Sequence, residues 1–320
     1  MPRNPLRAAS WLLIVCLLPG GSAFAAKCLY ISSYHQGYAW SDGVERGVRS
    51  VLDGKCEIRQ FDMDTKRNKD EAYKQYIALE AKHVIENWQP DVVITSDDNA
   101  AKYLIQPYYR DHSLPIVFAG INWTVDAYGF PYSNVTGIIE VAPVKAIFDR
   151  VSDLQGVPQR GFYLGADTLT ERKNLDRFRE AASRKGIELH YSLAPTLQDW
   201  IAAYEKAQDY DFVIMGSNSG INDWDDGKAR QAVMGSSRTV SLTNHIWMMP
   251  YSLLGLTKIP EEQGEWAAQA ALHILDGAKP SDIAIVANRK WDIWLNEAVR
   301  TSIGLEIPNK IRRKAKKYDS

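Results

Sequence analysis

No apolar stretch in this 320-residue chain is long enough to cross a bilayer, which takes about 20 consecutive apolar residues. Charge of one sign is missing too. Lys and Arg number 38 and Asp and Glu 39, a formal net charge of −1 that leaves no electrostatic footprint for nucleic acid. The usual catalytic signatures are also absent: there is no G-x-S-x-G elbow, no G-x-x-x-x-G-K-[ST] loop and no H-E-x-x-H helix. The six histidines, His35, His83, His112, His190, His245 and His273, are scattered without metal-ligand spacing, so neither a metal nor another cofactor is expected. Cysteine is scarce, with three in the chain.

What is present first concerns the compartment. Arg3 and Arg7 give a charged start, 11–18 an apolar run, and Ala23-Phe24-Ala25 a small-x-small cleavage site. This is the layout of a secretory signal peptide over 1–25, cleaved after Ala25, and it predicts a soluble, exported protein in the periplasm. Neither Cys16 nor Cys28 has the flanks of a lipid-attachment site. Cys16 leaves with the leader, so Cys28 and Cys56 remain and read as one disulfide in an oxidising compartment. The alternative is two small buried hydrophobes that never meet. The mature chain, about 295 residues, is long enough for two domains. Its 45% hydrophobic and 24% charged shares suit a globular core. A basic run, Lys310, Arg312, Arg313, Lys314, Lys316 and Lys317, reads as a solvated tail over 309–320.

Strand and helix patterns alternate throughout. Short apolar runs at 27–33, 56–61, 91–95, 115–119 and 135–140 read as strands, with helices over 41–52, 69–88 and 99–109 between them. Near-continuous apolar strands bounded by polar turns are what a parallel sheet covered on both faces requires. After Pro143 the pattern restarts, with strands at 160–164, 187–192, 211–215 and 239–242 and helices over 169–185, 197–208 and 226–234. The remainder, 246–254, helix 261–276, strand 282–286 and helix 291–303, repeats neither half. It fits elements added back to each half by re-crossing.

In open α/β sheets, ligands lie beyond the carboxyl ends of the strands. The loop after the first strand carries Ser33, Tyr34, His35, Tyr38 and Trp40; those after the third and fourth carry Ser96, Asp97 and Asn122. Asp167, Thr168, Ser217 and Asn218 occupy the matching places in the second half, with Trp247 beyond them. Small polar residues let a ligand approach closely, and aromatics wall it. Residues 96–99 read equally well as the cap of the next helix. Tyr38 and Trp40 also read as loop packing, His35 as an orienting partner, and Trp247 as hinge packing.

The segments Pro250-Tyr-Ser-Leu-Leu-Gly255, Ile259-Pro-Glu-Glu-Gln-Gly-Glu-Trp-Ala-Ala268, Ile274-Leu-Asp-Gly-Ala-Lys-Pro280 and Gly304-Leu-Glu-Ile-Pro308 resemble, in that order, motifs of the ABC transporter substrate-binding family. The loop 33–40 resembles a branch of it that also supplies sensory inputs. The likeness runs from about Lys27 to Pro308 and implies the α/β type I periplasmic binding protein fold, two Rossmann-like parallel-sheet lobes joined by a three-crossover hinge. It places one lobe at 26–141 and 248–279 and the other at 142–247 and 280–308, with crossovers near Glu140, His245 and Lys279. It further implies a monomer that closes on a small ligand and delivers it to an ABC permease. Well-known members take up aromatic amino acids, which need a charged or amide clamp. Arg172 is the nearest arginine here, and the ligand class does not carry over.

The expectation is therefore a non-enzymatic solute-binding protein for a small polar or aromatic molecule, an amino acid or heterocycle. One alternative partner is a membrane histidine kinase or receptor. A secreted enzyme is the other alternative, with Asp97, Asp98 and His35 as its acid–base set.

Overall fold

The computed structural model describes residues 26–319; the expected signal peptide lies outside the described residues. In chain order the strands are β1 (Ala26–Ser32), β2 (Cys56–Asp62), β3 (Val92–Ser96), β4 (Ile116–Asn122), β5 (Val135–Glu140), β6 (Arg160–Ala166) and β7 (Glu188–Ala194). They continue with β8 (Phe212–Met215), β9 (Val240–Thr243), β10 (Leu254–Lys258), β11 (Val286–Ala287), β12 (Trp291–Asn296) and β13 (Lys316–Tyr318). Two sheets result. The first runs β11-β5-β4-β3-β1-β2 and the second β13-β12-β10-β9-β8-β6-β7. Pairing is parallel except between β10 and β12.

Both faces of the first sheet are buried, which explains why β3 and β4 are almost wholly apolar. One face carries the helices Ala39–Leu52 and Pro260–Leu275. The other carries Glu71–Trp88 and the helical stretch 97–108, whose middle, Ala101–Ile105, is a π turn. A single larger core fills the second lobe around Trp200, Tyr204, Phe148, Phe178 and Phe212. Several helices start where a side-chain oxygen takes an otherwise orphaned amide: Asp70 accepts from Tyr73 N, Thr196 from Asp199 N and Asn296 from Val299 N. Cys28 and Cys56 form a disulfide between neighbouring strands, Cα to Cα 6.1 Å. Cys56 stands opposite Ala26, two residues from Cys28, so both side chains share one face.

The chain crosses between lobes three times: after β5, between β10 and the helix Pro260–Leu275, and between β11 and β12. The last two lie further along than the expected breaks near His245 and Lys279. Residues 248–258 stay with the second lobe because Leu253 N donates to Ser241 O and Oγ, seating β10 beside β9. Leu254 and Leu256 then enter the second core. Residues 286–287 belong to the first sheet, where they pair with Ile138 and Ile139. The expected helix over 291–303 is a strand, β12, followed by the helix Glu297–Ile303. The basic tail is not a solvated tail. Ile311 is fully buried, and β13 pairs with β12, while Lys310 and Lys316 form ion pairs with Asp153 and Asp292 on the outside.

Candidate functional site

At the carboxyl end of the first sheet, Asp97 follows β3 with a left-handed backbone, φ +67°, and is 3% exposed. Its Oδ1 accepts the Trp40 indole N–H at 3.2 Å, and its Oδ2 has no hydrogen-bond partner among the described residues. Burial pushes its carboxyl well above the usual range, reinforced by Glu140 and Asp98 and partly offset by Lys66 and the Ser96 hydroxyl. Asp98 is satisfied: it accepts from Tyr128 OH at 2.6 Å, Asn122 Nδ2 at 2.6 Å and Asn122 N at 3.2 Å. Tyr34 and Tyr38 meet edge to face at 5.5 Å, with the Lys66 ammonium 4.9 and 4.8 Å from their centroids. His35 lies beside Tyr38 and 3.4 Å from Asp64. Glu140, at the end of β5, pairs with Lys258, whose nitrogen is 5.5 Å from the Trp40 ring.

The second lobe offers a matching buried group. Glu171, 1% exposed, accepts from Tyr163 OH at 2.7 Å, Asn174 Nδ2 at 2.9 Å and Ser217 N at 3.0 Å. Room for it exists because residues 165 and 216 are glycine; a Cβ at either would run into its Oε2. Burial raises its carboxyl, against the pull of those donors and Lys258. His245, 7% exposed, lies 4.6 Å from the Trp247 ring, its Nε2 3.9 Å from Glu171. Neither of its ring nitrogens has a hydrogen-bond partner among the described residues. Burial and the Lys258 ammonium hold its pKa well below the ordinary range, so the ring is neutral.

Trp123 joins the two halves. It follows β4 with φ +64°, and its N–H donates across to Asn174 Oδ1 at 3.0 Å, within the network that holds Glu171.

Of the residues singled out in the sequence, Tyr34, Tyr38, Trp40 and Asp97 gather on the first lobe, and Ser217 and Trp247 meet on the second, Trp247 Nε1 lying 3.4 Å from Ser217 Oγ. Others are spent on the fold. Ser33 Oγ accepts from Ala100 N and donates to Ser96 O, Ser96 Oγ meets Tyr30 OH, and Thr168 caps its helix through Glu171 N. Asn122 holds Asp98, and Asn218 is half-buried on the turn after β8. Asp167 forms an exposed ion pair with Arg172, which removes Arg172 as a clamp. Lys258, Glu171, Asn174 and the inward role of His245 were not singled out. Glu171 stands three residues after Thr168, a spacing that reads as a helix-capping box and hides the buried carboxylate. Lys258, a lysine closing an apolar strand, is the one signal that could have been followed. Among the described residues no cluster of three or more His, Cys, Asp or Glu is placed to hold a metal ion, and no helix is long and apolar enough to cross a membrane.

No family model matches the sequence, and no curated protein matches it. Solved structures do match in shape. A ligand-free, open substrate-binding protein with adhesive properties from Clostridium difficile superposes with TM-score 0.74 at 13% identity, over 92% of this chain and 99% of that one. An ABC domain in complex with L-Trp from Streptococcus pneumonia gives 0.64 at 16%, over 91% and 99%. A periplasmic ribose ABC transporter protein from Conexibacter woesei gives 0.59 at 13%, over 93% and 100%. LacI-type and CcpA transcription regulators share the architecture too. Two doubly wound lobes, three crossovers and these likenesses together identify the fold of this chain as that of the type I periplasmic binding proteins.

Proposed function

We propose that this chain is a periplasmic solute-binding protein that closes its two lobes on a small molecule and presents it to an ABC permease. One observation carries the reading: buried polar atoms without partners, Asp97 Oδ2 and both ring nitrogens of His245, occur at the strand ends of the two lobes. Such atoms cost roughly 1–3 kcal/mol each when left unsatisfied, and a ligand between the lobes would satisfy them. Tyr34, Tyr38, Trp40, Trp123 and Trp247 supply flat walls around them, the make-up of a small-molecule pocket. The Cys28–Cys56 disulfide supports an oxidising compartment, and the substrate-binding proteins among the structural neighbours support the role.

The test is a thermal-shift screen of residues 26–320 against amino acids, nucleobases, sugars, organic acids and amines. A ligand that binds only the folded state raises the melting temperature by mass action, by an amount that grows with concentration. A folded protein that responds to none of these classes would contradict the proposal.

A further inference from the structure

The first-lobe site holds one buried carboxyl with no cation beside it among the described residues; burial disfavours the charge on Asp97, and an arriving cation would restore it. Asp97, Asp98 and Glu140 bring three carboxylates to the carboxyl end of one sheet. Asp98 is held by neutral donors, Tyr128 and Asn122, and Glu140 is paired with Lys258. Among the described residues, the side-chain donor placed on Asp97 at hydrogen-bond distance is the indole N–H of Trp40, on Oδ1, 3.2 Å away. Its other oxygen, Oδ2, is buried and has no partner among the described residues, and Gly120, φ +71°, leaves room on the Oδ1 side of the carboxyl, where a Cβ would stand 3.3 Å from Oδ1.

The rings around this carboxylate already carry cations. Lys66 lies on the faces of Tyr34 and Tyr38, and Lys258 on that of Trp40. Lys66 is itself exposed, so its ammonium can withdraw to water when another cation arrives. On the opposite lobe the neutral ring of His245 offers a bare nitrogen as a hydrogen-bond acceptor. An anionic ligand group placed against Asp97 would instead meet three carboxylates.

We propose that the solute is an organic amine, its protonated nitrogen donating to Asp97 Oδ2 and its flat body held among Tyr34, Tyr38 and Trp40. This rests on the solute-binding reading and narrows it. A charge-assisted hydrogen bond to a buried carboxylate is the strong kind, and losing it weakens binding by roughly ten- to a hundred-fold.

The experiment titrates residues 26–320 calorimetrically at neutral pH with two matched sets. Tryptamine, tryptophol and indole-3-propionate share one ring; phenethylamine, phenethyl alcohol and hydrocinnamate share another. The expected result is that an amine binds at least about tenfold tighter than its hydroxyl and carboxylate counterparts. In Asp97→Asn that preference should collapse. Asparagine tolerates the left-handed backbone as readily as aspartate, so this variant should keep the wild-type fold by circular dichroism. Equal or tighter binding of the alcohols or acids overturns the proposal, as does amine binding that survives Asp97→Asn. If no amine binds but another class raises the melting temperature in the screen, this inference fails while the solute-binding reading stands. If nothing binds, both fail. Should the variant misfold, the wild-type comparison among matched compounds decides alone.

Discussion

His245 shows how one side chain ties stability to pH. The imidazole is buried beside Glu171 and Trp247, and Lys258 adds positive charge, so its pKa in the folded protein lies well below the unfolded value of about 6.5. The unfolded chain therefore takes up its proton first as the pH falls. The stability this ring contributes is whole above about pH 6.5 and is lost on the way down toward the depressed value, by at most about 1.4 kcal/mol for each pH unit. Asp97 and Glu171 run the other way. Their raised values make their contribution whole below about pH 4 and lost as the pH rises through the folded values. The prediction concerns the difference in unfolding free energy between wild type and His245→Gln, measured by urea melts from pH 7.5 to 5. That difference should shrink or reverse as the pH is lowered. A difference that stays flat would mean the ring titrates as it does in water.

Among the elements, the contact between the helices Ala39–Leu52 and Pro260–Leu275 is the tightest in the first lobe. Gly264 lies against Val44 O and Val48 N, and Gly47 against Glu261 O, so the two backbones touch where a side chain would intervene. Gly264→Ala should cost about 1–3 kcal/mol, because overpacking at a backbone contact forces the helices apart. Gly235, near the end of the helix Asp226–Ser236, has open space where its Cβ would go. Gly235→Ala should therefore stabilise by roughly 0.5–1 kcal/mol through helix propensity and the unfolded chain. Urea unfolding of both variants checks the pair, and equal effects would show that the helix contact is not close.

The same helices show what a reading of residues reaches. The strand–helix alternation through β9 is plain because buried parallel strands must be apolar along their whole length. The assignment of β10 to a sheet is not, because Leu254 to Lys258 would look alike in either lobe and only its hydrogen bonds decide. Trp291 to Asn296 followed by Glu297 reads as continuous helix until Asn296 is seen capping Val299. The C-terminal run looks like solvent because six basic residues surround one buried isoleucine, Ile311, which fastens it to the second core. At the candidate site, the gathering of Tyr34, Tyr38, Trp40 and Asp97 follows from their places after strands. Asn174 and Lys258 are not legible in this way, since their partners Trp123 and Glu140 lie across the lobe boundary, and Glu171 is hidden by its capping-box place three residues after Thr168.

That meeting makes the whole molecule more than two Rossmann-like units. Trp123 belongs to the first lobe, yet its indole N–H donates to Asn174 of the second, and the Arg177 guanidinium lies 5.6 Å from its ring centroid. Glu140 and Lys258, at two of the crossovers, are paired close to the hinge. Trp123 therefore favours the conformation in which the lobes approach. A solute that touches both lobes favours it further, since a ligand shifts a conformational equilibrium only by its differential affinity for the two states. Trp123→Phe keeps a ring but removes the donor, at a net cost of about 1 kcal/mol to the approached state. In the ligand-free protein that should shift the open-to-closed equilibrium constant roughly fivefold toward the open state, read as a larger radius of gyration in X-ray scattering. Any solute from the screen should bind up to about fivefold more weakly to the variant, because more of its binding energy goes into closing the lobes. Saturating solute should bring the scattering of variant and wild type together. Identical ligand-free curves and equal affinities would show that the Trp123–Asn174 hydrogen bond does not bias closure, leaving the hinge pair to set it.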